Sequence, residues 1–461
     1  MTEPDLGRPS LGVSAPGGGR PAAITDVTVW TGTGWRERCD VVLADGVVTD
    51  LRDHRPGAAW AGEALDGSGG HLVPGFTNTH THLQQSLCRG VGEGQPLLAW
   101  LLTVGEGMKA VTPRRAYVAA VAAALEGLLS GTTTLVEHAW PHRDDAVGRA
   151  VQEALDLVGV RAVLGIGVAD RPDPTRRWGF EPSLMKPLDE VFAGVDELGR
   201  RTAGGRLTPA LAVPNPRSLT PDGMKRVRAF AEERGLTAMI HLAETGTDDA
   251  MCREHAGVGA VELLAQSDFL WDRLLAVHCV EVDDAMIAAL AAHDVAVAWN
   301  PVSNMRLGSG VAPVEKMLAA GVRVGIGVDG AASNDRQDML ETLRAGAYVQ
   351  RATDRRADMF GHAEMLALAC DGAAATLGQR VGAAAPGGVG VGRPADLTLV
   401  RFGRDFACLP VTDPGASLLT TGTPRIVDTV LVDGEVVVAD GRSTRVDVEA
   451  LTRELAALPP G

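Results

Sequence analysis

Two histidines one residue apart, His80 and His82, close an apolar stretch that opens Leu72-Val73-Pro74-Gly75-Phe76. Alternate side chains of a strand point to the same face, so imidazoles at this spacing can converge at a strand end. Further donors follow other short apolar runs: Glu137-His138, His241 with Glu244 three residues on, His278, and Asp329. Five of the 11 histidines fall in this pattern. Three imidazoles and one carboxylate suit a single divalent ion, Zn²⁺ or Fe²⁺, with a position left for water. Such an ion lowers the pKa of that water from near 16 to about 7. Glu244 could relay a proton from the water to a substrate ring nitrogen and on to a leaving amine. Asp329 could act as ligand and base, and His278 could orient the water or the leaving group.

Those donors need a scaffold that gathers strand ends. From about residue 72 to 375 strand-like and helix-like segments alternate. The strand candidates are Leu72–Thr79, Thr132–Glu137, Arg161–Val168, Thr208–Val213, Leu236–His241, Leu274–His278, Val295–Asn300 and Val322–Val328. They are rich in Val, Ile, Leu and Ala and mostly unalternating, as in parallel strands buried on both faces. Helical patterns separate them. Arg114–Ser130 has Pro113 near its start and Gly131 past its end; Pro221–Arg234, Asp283–His293 and Asp335–Arg351 read likewise. The fold class expected is α/β, a (β/α)8 TIM barrel whose catalytic groups sit at the C-terminal strand ends.

A small β-sandwich domain built from both terminal segments should accompany the barrel. Its strands are Ala23–Trp30 and Asp40–Asp50 around an Asp45-Gly46 turn, then Ala395–Val400, Ile426–Val432 and Glu435–Val438 with an Asp433-Gly434 hairpin turn. The organisation expected is a disordered tail over 1–20, the β domain over 21–70 and 382–450, the metal-binding barrel over 71–381, and a C-terminal tail over 451–461. Glycine-rich Gly382–Pro394 would be the linker.

The 461 residues, 45% hydrophobic, can bury a large core. A net charge of −15 argues against nucleic acid and anionic membranes as partners. Six scattered cysteines, with no C-x-x-C pair, make neither a disulfide framework nor a zinc knuckle. There is no run of 18 apolar residues and no apolar core in Met1–Gly19, so a cytoplasmic protein is expected.

Pro74-Gly75-Phe76 through His80-Thr81-His82, His241-Leu242-Ala243-Glu244, His278 and Gly327-Val328-Asp329-Gly330 resemble, in order, the motifs of the amidohydrolase superfamily. The likeness covers essentially the whole chain. It is closer to the mononuclear aminohydrolases, a subgroup holding guanine, 8-oxoguanine, cytosine and adenosylhomocysteine deaminases and triazine hydrolases. Asn300-Pro301-Val302-Ser303-Asn304 with Gly308–Pro313 is similar to that subgroup's signature. The stretch Gly327–Asp335 is similar to that of 8-oxoguanine deaminase and hydroxyatrazine-type hydrolases.

The resemblance implies His80, His82, His241 and Asp329 as metal ligands, Glu244 as proton shuttle and His278 as the water- or substrate-facing histidine. Binuclear barrel hydrolases need a carboxylated lysine at the end of strand four. Val213-Pro214 carries none, so one metal ion is expected, Zn²⁺ ahead of Fe²⁺. Substrate contacts would come from Gln85, matching an amide that reads a lactam edge, from Arg217 at a ring carbonyl, and from His138, Trp140 and Asn304. The activity implied is hydrolytic deamination of a purine- or pterin-like ring of guanine or 8-oxoguanine type, with release of ammonia. The alternatives are a triazine chlorohydrolase or alkylaminohydrolase, a pyrimidine- or adenosine-type deaminase, and a non-catalytic scaffold. The partners expected are a small heterocyclic substrate and a second copy of the chain in a homodimer.

Overall fold

The structure is a computed structural model that describes residues 9–13, 18–378 and 387–458. Eight parallel strands pair in chain order and curl into a barrel. They are β1 (Phe76–Thr81), β2 (Thr132–His138), β3 (Arg161–Gly167), β4 (Leu207–Val213), β5 (Ala238–Leu242), β6 (Leu274–His278), β7 (Ala296–Trp299) and β8 (Val324–Ile326). Most of their residues are buried, which explains why the runs do not alternate. Hydrogen bonds join β1 to the end of β8. Val328 N–H donates to Asn78 Oδ1 and Asp329 N–H to the His80 carbonyl, both at 2.8 Å. Val136, Val163, Met239, Leu275 and Val277 fill the interior.

The crossover helices carry the expected punctuation. Thr112 caps Pro113–Leu129, accepting from Arg115 N–H, and Thr220 caps Pro221–Arg234, which ends at Gly235 in the left-handed region (φ 65°). The helix expected from Asp335 begins instead at Met339, capped by Asp338. The preceding turn is held against the barrel mouth, where Gln337 donates to the Asp329 carbonyl (2.8 Å) and accepts from Thr81 Oγ1 (3.0 Å).

The strand expected over Leu72–Thr79 is two strands in two sheets. His71–Pro74 pairs with Leu397–Val400 and Ala23–Trp30, whereas Phe76 onward belongs to β1. Gly75 is the joint. Its N–H donates to the Asp396 carbonyl (2.8 Å), and a Cβ there would lie 2.2 Å from the Thr133 side chain. Gly75→Ala should therefore destabilise the protein by about 1–3 kcal/mol, the cost of overpacking, read as a lower urea midpoint.

Both terminal segments contribute to one mixed nine-stranded sheet. Ile24, Val41, Leu72, Leu399 and Leu431 pack in its core. The turn pairs Asp45-Gly46 (φ 49° and 75°) and Asp433-Gly434 (φ 54° and 74°) are left-handed at both positions, as two-residue hairpins require.

Three peripheral expectations change. Residues 451–457, read as a tail, belong to the helix Val448–Ala457, capped by Asp447 and anchored by buried Leu451. Within the stretch read as an N-terminal tail, Leu11 is 1% exposed and Gly12 bridges to Val446; residues 1–8 and 14–17 lie outside the described residues. Of the expected linker, residues 382–386 also lie outside. Its described part is bonded to the fold, through Arg393 on Asp371 (2.5 Å) and Val389 N–H on the Trp30 carbonyl (2.8 Å). All six cysteines are buried and unpaired. Among the described residues no helix is long and apolar enough to cross a membrane.

Candidate active site

The C-terminal ends of β1, β5, β6 and β8 bring His80, His82, His241, His278 and Asp329 together. His80 Nε2 lies 3.3 Å and His82 Nε2 3.7 Å from Asp329 Oδ1, and the His82 and His241 Nε2 atoms are 3.2 Å apart. Donor atoms 2.0–2.2 Å from a tetrahedral ion stand roughly 3.3–3.6 Å from one another. The observed separations fit that size.

Hydrogen bonds behind the rings fix which nitrogens face inward. His82 Nδ1 donates to the His138 carbonyl (2.7 Å) and His241 Nδ1 to the Pro214 carbonyl (2.8 Å). Both Nε2 atoms are therefore bare lone pairs facing each other, an arrangement that repels unless a cation lies between them. Neither ring nitrogen of buried His80 has a hydrogen-bond partner. Burial, reinforced by neighbouring imidazoles, pushes His82 down to about 4 and His241 well below the usual histidine range. Neutral imidazoles are the form that binds metal. Burial would raise Asp329, but the imidazole of His80 3.3 Å away, with those of His278 and His82, holds it well below the usual carboxylate range.

His278 is different. The side-chain amides of Asn304 (3.0 Å) and Asn300 (3.3 Å) face its Nδ1, so the ring proton sits on Nε2. That atom is 3.5 Å from Glu244 Oε2 and 4.0 Å from Asp329 Oδ2. Burial lowers His278 to about 3. Glu244 is also buried and raised well above the usual carboxyl value, first by burial and then by Asp329 and Asp248; the Ser309 hydroxyl at 3.2 Å opposes the shift. Ala243, His278 and Asp329 all have positive φ (48°, 77° and 71°). Non-glycine residues held there carry backbone strain, which the surrounding packing must offset.

Gln85, His138, Trp140 and Arg217 line the cleft over this cluster. Gln85 is buried, and a Cβ on Gly330 would fall 2.0 Å from its Oε1, so the glycine makes room for it. That buried Oε1 has no hydrogen-bond partner. His138 Nε2 donates to the Val213 carbonyl (3.1 Å). Asn304, expected at the substrate, is placed with its side-chain amide 3.0 Å from His278 Nδ1. It sits behind His278, 1% exposed, and is not among the cleft residues.

Two cleft residues, Arg176 and Asp248, were not legible in the sequence. Arg176 stacks on Trp140 with its guanidinium 4.8 Å from the ring centroid, donates to the Leu101 carbonyl, and is pushed down to about 10 by burial. Asp248 pairs with buried Arg217. Glu137, pushed up to about 8 by burial, accepts from Leu83 N–H (2.8 Å) and so holds the turn after His82. The enclosed space is narrow, about 70 Å³, with Leu97, Leu101, Arg176 and Leu307 at its walls.

Removing Asp248 would leave Arg217 a buried charge without its carboxylate. Asp248→Ala should cost about 3–5 kcal/mol in chemical denaturation. The double change Arg217→Met/Asp248→Leu should recover most of it.

Residues 71–437, which contain all of these groups, match the amidohydrolase family. The chain belongs to that family. Among curated relatives it is 35% identical over 405 residues to a 5-methylthioadenosine/S-adenosylhomocysteine deaminase of Desulforudis audaxviator, covering 87% of this chain and 88% of the relative. It is 30% identical to a 5′-deoxyadenosine deaminase of Methanothermobacter thermautotrophicus, covering 88% and 90%. An adenosine deaminase from Xanthomonas campestris, crystallised with bound Zn, superposes with a TM-score of 0.83 at 25% identity, over 95% of this chain and 98% of that one. The expectation of a hydrolase holds at the level of the family.

Proposed function

We propose that this amidohydrolase deaminates an adenosine-type nucleoside by hydrolysis, with one divalent ion, Zn²⁺, held by His80, His82, His241 and Asp329. The observation that carries the reading is the pair of inward lone pairs on His82 and His241 beside Asp329, with Glu244 next to the protonated Nε2 of His278. When bound, the ion would supply Lewis acidity and lower the pKa of water to about 7.

The chain's own groups do the rest. Asp329, held ionised, accepts the first proton of the attacking water. Glu244 hands its proton to the ring nitrogen beside the amino-bearing carbon, takes one back from the hydroxyl added at that carbon and delivers it to the departing amine, so that ammonia leaves as a neutral molecule; the proton on Asp329 then returns to Glu244. His278 Nε2–H orients the water and stabilises charge growing on its oxygen. Gln85 lines the cleft beside the substrate, and Trp140 offers it a stacking face.

The nucleoside class is supported by the relatives named for adenosine derivatives. Arg217, the group expected at a guanine-type ring carbonyl, is already paired with Asp248, which favours the adenosine-type reading over the guanine type. Leu97, Leu101 and Arg176 line the cleft and would flank a nucleoside bound over the cluster.

Ammonia release by the Zn²⁺-loaded protein tests this. 5-Methylthioadenosine, S-adenosylhomocysteine, 5′-deoxyadenosine and adenosine would be compared with guanine, 8-oxoguanine, cytosine and aminotriazines. A kcat/KM at least tenfold higher for some adenosine-type substrate is expected. Ammonia from guanine or 8-oxoguanine alone would return the assignment to the guanine type, and chloride release from a chlorotriazine without deamination would make it a chlorohydrolase.

A further inference from the structure

Gln337 stands in the turn before the helix Met339–Asp354 and does not line the cleft, yet it is buried (3% exposed) and bonded to the backbone of Asp329. Both ends of its amide are in use. Nε2 donates to the Asp329 carbonyl (2.8 Å), and Oε1 accepts from Thr81 Oγ1 (3.0 Å). A carbonyl only accepts, so the amide end facing Asp329 is the donor and the orientation is fixed. Thr81 Oγ1 also lies 3.2 Å from the same carbonyl. Thr81 stands between His80 and His82, and alternation along β1 turns it away from the side those imidazoles share. Gln337 therefore joins, from behind, the two strand ends that carry His80, His82 and Asp329.

This side chain is anchored in turn. The Gln337 carbonyl accepts from Ser130 Oγ (3.3 Å), and that oxygen accepts from Met339 N–H (3.1 Å). Ser130 is fully buried at the end of the helix Pro113–Leu129. Asp329 needs such support. Its φ of 71° is unfavourable for a residue with a Cβ and persists only where neighbours over-determine it. Its N–H is held by the His80 carbonyl (2.8 Å), a bond between the strand ends themselves. Its carbonyl is held by Gln337 and Thr81.

The bonds to both peptide groups set how the Asp329 carboxylate stands toward the Nε2 atoms of His80 and His82, 3.3 Å and 3.7 Å away. We propose that Gln337 is a positioning residue that holds Asp329 and the His80–His82 strand end at the separation one divalent ion needs. The proposal rests on His80, His82, His241 and Asp329 being the ligands. Gln337 touches no ligating atom, so its removal acts through geometry alone.

Metal-stripped full-length protein, titrated with Zn²⁺ against a chromophoric chelator, tests this. Gln337→Leu should bind Zn²⁺ about 10–100-fold more weakly than wild type, the usual worth of a group that orients a ligand. Gly75→Ala controls for lost stability: it should lower the urea midpoint and keep wild-type Zn²⁺ affinity. The double change Thr81→Val/Gln337→Leu removes the hydroxyl left without its amide partner. It should recover much of the urea midpoint lost in Gln337→Leu but none of the Zn²⁺ affinity. With saturating Zn²⁺, kcat of Gln337→Leu should fall by about tenfold or more, while KM stays near the wild-type value. Gln337→Met, nearer in length, replaces the leucine variant if that variant folds poorly. Wild-type Zn²⁺ affinity in Gln337→Leu or Gln337→Met, recovery of affinity together with the midpoint in the double variant, or an equal loss of affinity in Gly75→Ala would overturn the proposal. A wild type that binds no Zn²⁺ would overturn the ligand set itself and this proposal with it, so the two failures are distinct.

Discussion

Glu244→Gln should lower kcat by about 10²–10⁴-fold, the usual worth of a positioned acid–base group, while metal content stays near that of the wild type. Glutamine keeps the shape of the side chain and an oxygen that can accept from the Ser309 hydroxyl, now 3.2 Å from Glu244 Oε1. What it loses is the capacity to take up and release a proton. The carboxyl is raised well above its ordinary value, by burial first and by Asp329 and Asp248 next, which favours the protonated form needed to deliver a proton to a leaving amine. Glu244 is not among the grouped donor atoms of the candidate metal site, so its removal should spare metal binding. Substrate affinity should change far less than turnover, because the proton is moved in the transition state. A variant retaining more than a tenth of wild-type kcat would remove Glu244 from proton transfer.

The barrel was legible because its strands are short, buried and apolar, and because polar residues interrupt that pattern just where a barrel mouth must lie. His80, His241, His278 and Asp329 each stand at a strand end, so strand order alone predicted that they meet. The failures have physical causes. Leu72–Thr79 reads as one apolar run, and only the collision of a Cβ at Gly75 with Thr133 reveals that it serves two sheets. The C-terminal helix did carry a signal, Asp447 before Val448, Leu451 and Leu455, at capping and one-face spacing. Asn304 belongs to a motif, but a motif does not say which side of His278 a residue occupies. Arg176 and Asp248 reach the site from a loop and a helix start far apart in the chain, and no local pattern distinguishes them from surface polar residues; Ser309 lies within the signature-like Gly308–Pro313, which does not say that its hydroxyl meets Glu244.

Two trios of donors overlap at the site, His80 with His82 and His241, and His80 with His278 and Asp329. Hydrogen bonding decides between the two candidate imidazoles. His241 gives its Nδ1 proton to the Pro214 carbonyl and turns a bare Nε2 inward, whereas His278 meets amides at Nδ1 and carries its proton on Nε2. A protonated nitrogen has no lone pair for a metal. His241→Ala should therefore weaken Zn²⁺ binding by more than about 100-fold, since outer partners of ligands alone are worth 10–100-fold. His278→Ala should retain the metal and lose turnover. The same contrast should appear in stability. Saturating Zn²⁺ at about 1,000 times its Kd stabilises a folded site by about 4 kcal/mol, so the ion should raise the melting temperature of metal-stripped wild type and of His278→Ala but not of His241→Ala. Metal loss in His278→Ala with full loading of His241→Ala would transfer ligation to the other trio and reverse the roles of the two histidines.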